Sequence, residues 1–189
     1  MVETTFLAGG CFWCLEAVFQ RVRGVSRVQS GYMGGELAQP SYEKICSGRT
    51  GHAEVVRVHF DPDQVSFESL LEIFFAIHDP TTLNRQGHDI GSQYRSAIFA
   101  VGSQQLEQAQ AFLQRLGQSG HYKDPIVTQL QLVTEAEFEG QAGITQKTFW
   151  PAEADHDNYF DRNPYQGYCM AVVRPKVEKA ASLFADRLA

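Results

Sequence analysis

No stretch of this chain approaches the roughly 20 consecutive apolar residues that a membrane-spanning helix needs, and no segment repeats another. A membrane span and a repeat architecture are both excluded. Basic residues are in the minority, 16 Lys and Arg against 22 Asp and Glu, for a formal charge of −6. With no Lys/Arg run, the chain lacks the basic face that nucleic-acid binding requires. The opening residues MVETTFLAGG have neither a basic start nor an apolar stretch long enough for a signal peptide, so the expected location is the cytoplasm. Cysteine is scarce, with Cys11, Cys14, Cys46 and Cys169 in 189 residues. Four do not make a disulfide scaffold, and a reducing compartment would hold them as thiols, so any disulfide is expected to be catalytic.

What is present suits one well-buried domain spanning residues 1–189, with 43% of residues hydrophobic. Thr4 to Ala8 reads as a short apolar strand that meets the pair Gly9-Gly10. Leu15, Val18, Phe19 and Val22 then recur at helical spacing. Val25 to Ser30 reads as a strand entering a glycine-rich turn, Gly31-Tyr32-Met33-Gly34-Gly35, followed by a loop through Pro40 to Gly48. Gly51 to Phe60 is strand-like, and Ser66 can cap a helix with an apolar stripe from Leu70 to Ile77. The polar stretch Thr81 to Gln93 reads as a functional loop, Tyr94 to Val101 as a strand, Ser103 to Leu116 as a helix and Ile126 to Val133 as a strand. Phe149 to Cys169 carries little periodicity and is expected to wrap the core as ordered coil, before a terminal helix over Lys176 to Leu188. Strands and helices alternate with hairpins expected among them. The order fits an α+β fold with a mixed sheet and helices on one face better than a doubly wound parallel sheet.

Chemistry concentrates at Cys11. A glycine pair before it and a helix after it place its sulfur where unpaired backbone N–H groups and the positive end of the helix dipole favour a thiolate. Phe12 and Trp13 beside it read as pocket walls. Free cysteines more often serve as small buried hydrophobes, but that reading does not explain the glycines and aromatics around this one. Cys14, three residues on, is close enough for a disulfide if the first turn opens slightly. A zinc site would need a second matching pair, whereas Cys46 and Cys169 stand alone. In the strand Gly51 to Phe60, Glu54 shares its face with Val56, Val58 and Phe60, which predicts a buried carboxyl with a raised pKa, able to donate a proton. Its ordinary alternative is a carboxylate satisfied by a basic side chain or a backbone N–H. Tyr42 and Tyr94 are further candidate donors among seven tyrosines, and His88 and Asp89 sit in the polar loop, where Asp most often makes turn contacts.

Gly10-Cys11-Phe12-Trp13, Gly31-Tyr32-Met33-Gly34-Gly35, YEKICSGRTGHAE (Tyr42 to Glu54), His78-Asp79-Pro80, DIGSQYRS (Asp89 to Ser96) and Asn163-Pro164 to Tyr168-Cys169 together resemble the peptide methionine sulfoxide reductase A family. The resemblance runs in order over nearly the whole chain. It implies a two-layer, ferredoxin-like sandwich of helices on a mixed sheet with an irregular C-terminal segment. It also implies reduction of the S epimer of methionine sulfoxide, free or in proteins, by a monomer with no bound cofactor and with thioredoxin as external reductant. In that reading Cys11 attacks the sulfoxide sulfur; Glu54, Tyr42 and Tyr94 hydrogen-bond and protonate the oxygen. Phe12 and Trp13 hold the methyl group, and Asp89 helps orient substrate and nucleophile. The sulfenic acid left on Cys11 must condense with a thiol before it over-oxidises. Where most of the family has glycine after the tryptophan, this chain has Cys14. Proximity favours Cys14 as first resolver, and Cys169 is expected to accept the disulfide in a relay; Cys46 is expected to be structural. Two rivals remain, a general CxxC thiol-disulfide oxidoreductase and a non-enzymatic Cys/His metal module.

Overall fold

A computed structural model describes residues 1–189. Strand β1 (Glu3–Gly9) leads into helix α1 (Phe12–Phe19), then β2 (Val25–Met33), the one-turn α2 (Tyr42–Cys46), β3 (Ala53–Phe60) and α3 (Phe67–Ile77). A small hairpin, β4 (Arg85–Gln86) and β5 (Asp89–Ile90), precedes β6 (Ser96–Val101), α4 (Gly102–Gln118) and β7 (Gln129–Val133). The chain closes with α5 (Glu135–Phe138), β8 (Trp150–Pro151), α6 (Tyr159–Arg162), a π-helical stretch over Cys169–Val173 and α7 (Arg174–Leu183).

Six strands form one sheet in the order β7-β6-β1-β3-β2-β8, antiparallel except for the β6–β7 pair. Period-two alternation divides its faces. Leu7, Tyr32, Val56, Val58, Phe60 and Ile98 point to the side that α1, α3, α4 and α7 cover, and form the larger core. Phe6, Ala8, Met33, Val55, Ala97 and Phe99 point the other way, where only Phe138, Phe149 and the segment between them shield them. Ser66 caps α3 as the sequence predicts, accepting the Ser69 N–H at 3.1 Å.

Four expectations change. The loop through Pro40 to Gly48 holds the one-turn α2. The start of the glycine-rich turn is instead the end of β2, where Gly31, Tyr32 and Met33 stay in register with Val55, Glu54 and Ala53, and only Gly34-Gly35 lie beyond the strand. Gly31 is there for closeness, since a Cβ on it would lie 2.4 Å from the Phe149 ring and 2.5 Å from the Trp150 carbonyl oxygen. The predicted terminal helix starts earlier, running on from the π-helical stretch, and ends at Leu183, while Leu188 returns to bridge Val22. Tyr94 closes a 3-10 turn before β6, not the strand itself. Phe149 to Cys169 does wrap the core, but with an edge strand and short helical turns of its own.

Candidate active site

Gly10 makes the turn from β1 into α1 at φ 97°, a region that side-chain-bearing residues avoid. The turn delivers Cys11 to the N-cap of α1, 7% exposed, and its carbonyl accepts the Cys14 N–H at 3.1 Å. The two thiols pack in one buried cluster. A thiolate on Cys11, expected from the helix start, is not the resting form. Burial pushes the Cys11 thiol well above its ordinary value, and the neighbouring Cys14 and the charge of the nearby Glu54 push the same way. The neighbouring Cys11 draws Cys14 down, helped by Lys176 and Tyr168 against its burial. Desolvation outweighs the helix dipole, whose effect is only about 1 kcal/mol in most settings.

Glu54 is 1% exposed, on the helix-bearing face of β3, and accepts the Phe12 N–H on Oε2 at 3.0 Å. This bond uses one of the free donors at the start of α1. Burial nevertheless raises its carboxyl to about 8, with the Phe12 N–H opposing and the charges of Asp89 and Cys14 adding to the rise. Glu54 is therefore mostly neutral at pH 7, as its apolar row implies. Tyr42 and Tyr94 are half-buried, and burial together with Glu54 holds both phenols above their ordinary value, so they remain donors. Asp89 accepts a hydrogen bond from the Tyr168 hydroxyl, and His88 is exposed in the hairpin.

The two aromatics beside Cys11 differ in setting. Phe12 is fully buried and forms a floor beneath Tyr32 and Tyr42, whereas Trp13 is partly exposed. Trp13 lies flat on Tyr159, centroids 3.7 Å apart and planes within 4°, and donates Nε1–H to His156 Nδ1 at 3.1 Å. Burial lowers the His156 pKa, consistent with a neutral ring accepting on Nδ1. Glu153 ties the same segment to the sheet, accepting the Tyr32 hydroxyl and the Tyr42 N–H at 2.8 Å each.

Cys169 is fully buried and packs in one cluster with Cys11, Cys14, Ala17 and Val173, so both candidate resolvers neighbour the nucleophile. Cys46, expected to be structural, is exposed at the end of α2. No group of three or more His, Cys, Asp or Glu side chains comes together to hold a metal ion, which leaves the metal-module reading without a ligand set. Sequence reasoning missed Tyr32, Glu153, His156, Tyr159 and Tyr168. For the last four the one signal was the density of aromatic and acidic residues in the aperiodic segment from Phe149 to Cys169, whereas Tyr32 lay in the glycine-rich stretch read as a turn.

A buried thiol pair in one cluster, with a buried carboxyl bonded to the N–H of the residue after Cys11, suits an oxidoreductase that works through cysteine. A family model described as peptide methionine sulfoxide reductase matches residues 3–188, and the chain belongs to that family. It is 51% identical over 187 residues to the peptide methionine sulfoxide reductase MsrA of Ralstonia nicotianae, covering 99% of this chain and 93% of the relative. Among solved structures it is similar to methionine sulfoxide reductase A of Corynebacterium diphtheriae, with TM-score 0.73 and 36% identity over 90% of this chain and 78% of that one. The fold also resembles that of Mxr1 from Saccharomyces cerevisiae in complex with Trx2, with TM-score 0.53 and 22% identity over 84% of each chain. The activity is thiol-dependent reduction of methionine sulfoxide to methionine.

Proposed function

We propose that Cys11 is the nucleophile and Glu54 the acid in reduction of the S epimer of methionine sulfoxide, free or within proteins. The observation that carries this assignment is the fully buried Glu54 carboxyl bonded to the N–H of Phe12, the residue after Cys11, where burial raises its pKa to about 8. A sulfoxide oxygen leaves poorly unless it is protonated, and a neutral acid in a site closed to water supplies that proton. Trp13, over the Phe12 floor, holds the methyl group; Tyr42 and Tyr94 donate to the oxygen; Asp89, bonded to Tyr168, orients the substrate.

As the Cys11 sulfur bonds to the sulfoxide sulfur, Glu54 protonates the oxygen, and the proton released by the Cys11 thiol restores Glu54. The hydroxyl then passes from the substrate sulfur to Cys11, leaving methionine and a Cys11 sulfenic acid. Cys14 attacks Cys11 Sγ, its proton leaves with the hydroxyl as water, and a Cys11–Cys14 disulfide forms. The sulfoxide gains two electrons and the thiol pair loses two. Cys169 then accepts the disulfide from Cys14, and a thioredoxin-type dithiol returns the protein to its reduced state; the yeast relative solved in complex with Trx2 supports that partner. We place the enzyme in the cytoplasm as a monomer of one domain, with no bound cofactor.

The test couples NADPH oxidation through thioredoxin and its reductase to separated S and R epimers of a blocked methionine sulfoxide. The wild type turns over S alone. Cys14→Ser releases one methionine per enzyme and then stops, whereas Cys169→Ser slows recycling without abolishing disulfide formation. Turnover of neither epimer by the wild type refutes the assignment, and a stall in Cys169→Ser but not in Cys14→Ser reverses the order of the two resolvers.

A further inference from the structure

Glu16 is a carboxyl that this reaction does not use, yet it is only 3% exposed. It lies on α1 three residues after Trp13, on the same helical face. Its Oε1 accepts the Asn158 N–H at 3.1 Å, and the Tyr159 N–H next along the chain also favours the charged carboxylate. Those two N–H groups begin α6, and Asn158, its N-cap, makes no side-chain cap of its own. A helix start without a partner leaves costly orphan donors, so Glu16 acts as a cap supplied from another element. Asn158 also sits at φ 49°, a left-handed conformation that persists in a non-glycine residue only when its surroundings hold it. The residue that follows is Tyr159, whose ring lies flat on Trp13.

Just past the end of α1, Gln20 and Arg21 grip Asp161 of the same segment, but at the protein surface. Glu16 is the buried anchor among these ties. Its burial is costly enough to raise the carboxyl to about 7, with the two N–H groups opposing that rise. A purely apolar side chain would avoid that cost but leave α6 uncapped.

We infer that Glu16 is a positioning residue: by capping the turn that carries Tyr159, it fixes how far the Trp13 ring can yield, and so sets which alkyl group on the sulfoxide sulfur the site accepts. The inference rests on Trp13 forming the wall of the methyl pocket.

Single-turnover release of thioether, with a blocked methionine S-sulfoxide and its S-ethyl analogue as substrates, tests this in the wild type, Glu16→Ala, Glu16→Gln, Tyr159→Leu and Trp13→Ala. One methylene in an apolar pocket is worth about 10–200-fold, and the wild type prefers methyl within that range. Glu16→Ala raises the half-saturating substrate concentration about tenfold, the order of losing one hydrogen bond to a charged acceptor. Its maximal rate stays within about twofold, and the methyl preference falls below about threefold. Glu16→Gln keeps a carbonyl acceptor for Asn158 and restores both values. Tyr159→Leu, which leaves Glu16 intact, loses the preference as Glu16→Ala does. In a Trp150→Phe background, the emission of Trp13 shifts to the red in Glu16→Ala and not in Glu16→Gln. If Trp13→Ala leaves the methyl preference unchanged, the methyl-wall reading itself fails. If Trp13→Ala abolishes the preference while Glu16→Ala or Tyr159→Leu keeps it, or Glu16→Gln fails to restore it, the role given to Glu16 is overturned and the wall stands.

Discussion

Replacing Glu54 by Gln should separate catalysis from stability in opposite directions. The carboxyl sits at about 8 against an ordinary 4.5 because burial disfavours its charged form. At about 1.4 kcal/mol per pH unit, ionising it inside the fold costs on the order of 5 kcal/mol. The folded state therefore binds a proton that the unfolded chain releases. The stabilisation is fully present below about pH 4.5 and is lost progressively as pH rises to about 8. Gln keeps an oxygen for the Phe12 N–H and never ionises, so Glu54→Gln should be more stable than the wild type at pH 8 by about 2–4 kcal/mol and show little gain at pH 4.5. It also lacks the proton that the leaving oxygen needs, a loss of roughly 10²–10⁴ in the chemical step. Wild-type single-turnover rates should in turn fall about tenfold between pH 7 and pH 9 as the carboxyl ionises. Urea unfolding at the two pH values and single-turnover release of methionine measure both effects. Single-turnover activity of Glu54→Gln within threefold of the wild type at pH 7, or wild-type rates that rise through pH 8, would refute the assignment of Glu54 as acid.

The other predictions test the walls and the sheet. Trp13→Ala removes the ring that rests on Tyr159 and bonds His156. The half-saturating sulfoxide concentration should rise more than about tenfold, while exchange with a small disulfide stays within about threefold of wild type; equal loss of both activities would favour the general thiol-disulfide oxidoreductase. Gly31→Ala forces a methyl group against the Phe149 ring and the Trp150 carbonyl, neither of which can swing away. About 3 kcal/mol of overpacking should lower the thermal midpoint by roughly 6–12 °C, and a midpoint within 2 °C of wild type would show that β8 yields freely.

Much of the site was legible because its signals are local. The strand, glycine pair and helix at residues 4–22 each follow from spacing within a few positions, and together they put Cys11 at a helix start. Period-two alternation was enough to bury Glu54. Gly31 misled for the opposite reason: glycine marks a turn and a close approach equally well, and only the neighbouring strand tells them apart. The segment from Phe149 to Cys169 has no periodicity to read, since its contacts are made one residue at a time with α1 and β2.

The order of strands and helices, the position of Cys11 and the inward face of Glu54 were determined by the sequence alone, because backbone periodicity and steric limits act over a turn or two of chain. Only the tertiary structure decided that Cys11 rests as a thiol, that Tyr159 and His156 close around Trp13, and that Glu16 caps a helix more than 140 residues away. Desolvation and long-range hydrogen bonds depend on what covers a group, and the covering segment lies far from it along the chain.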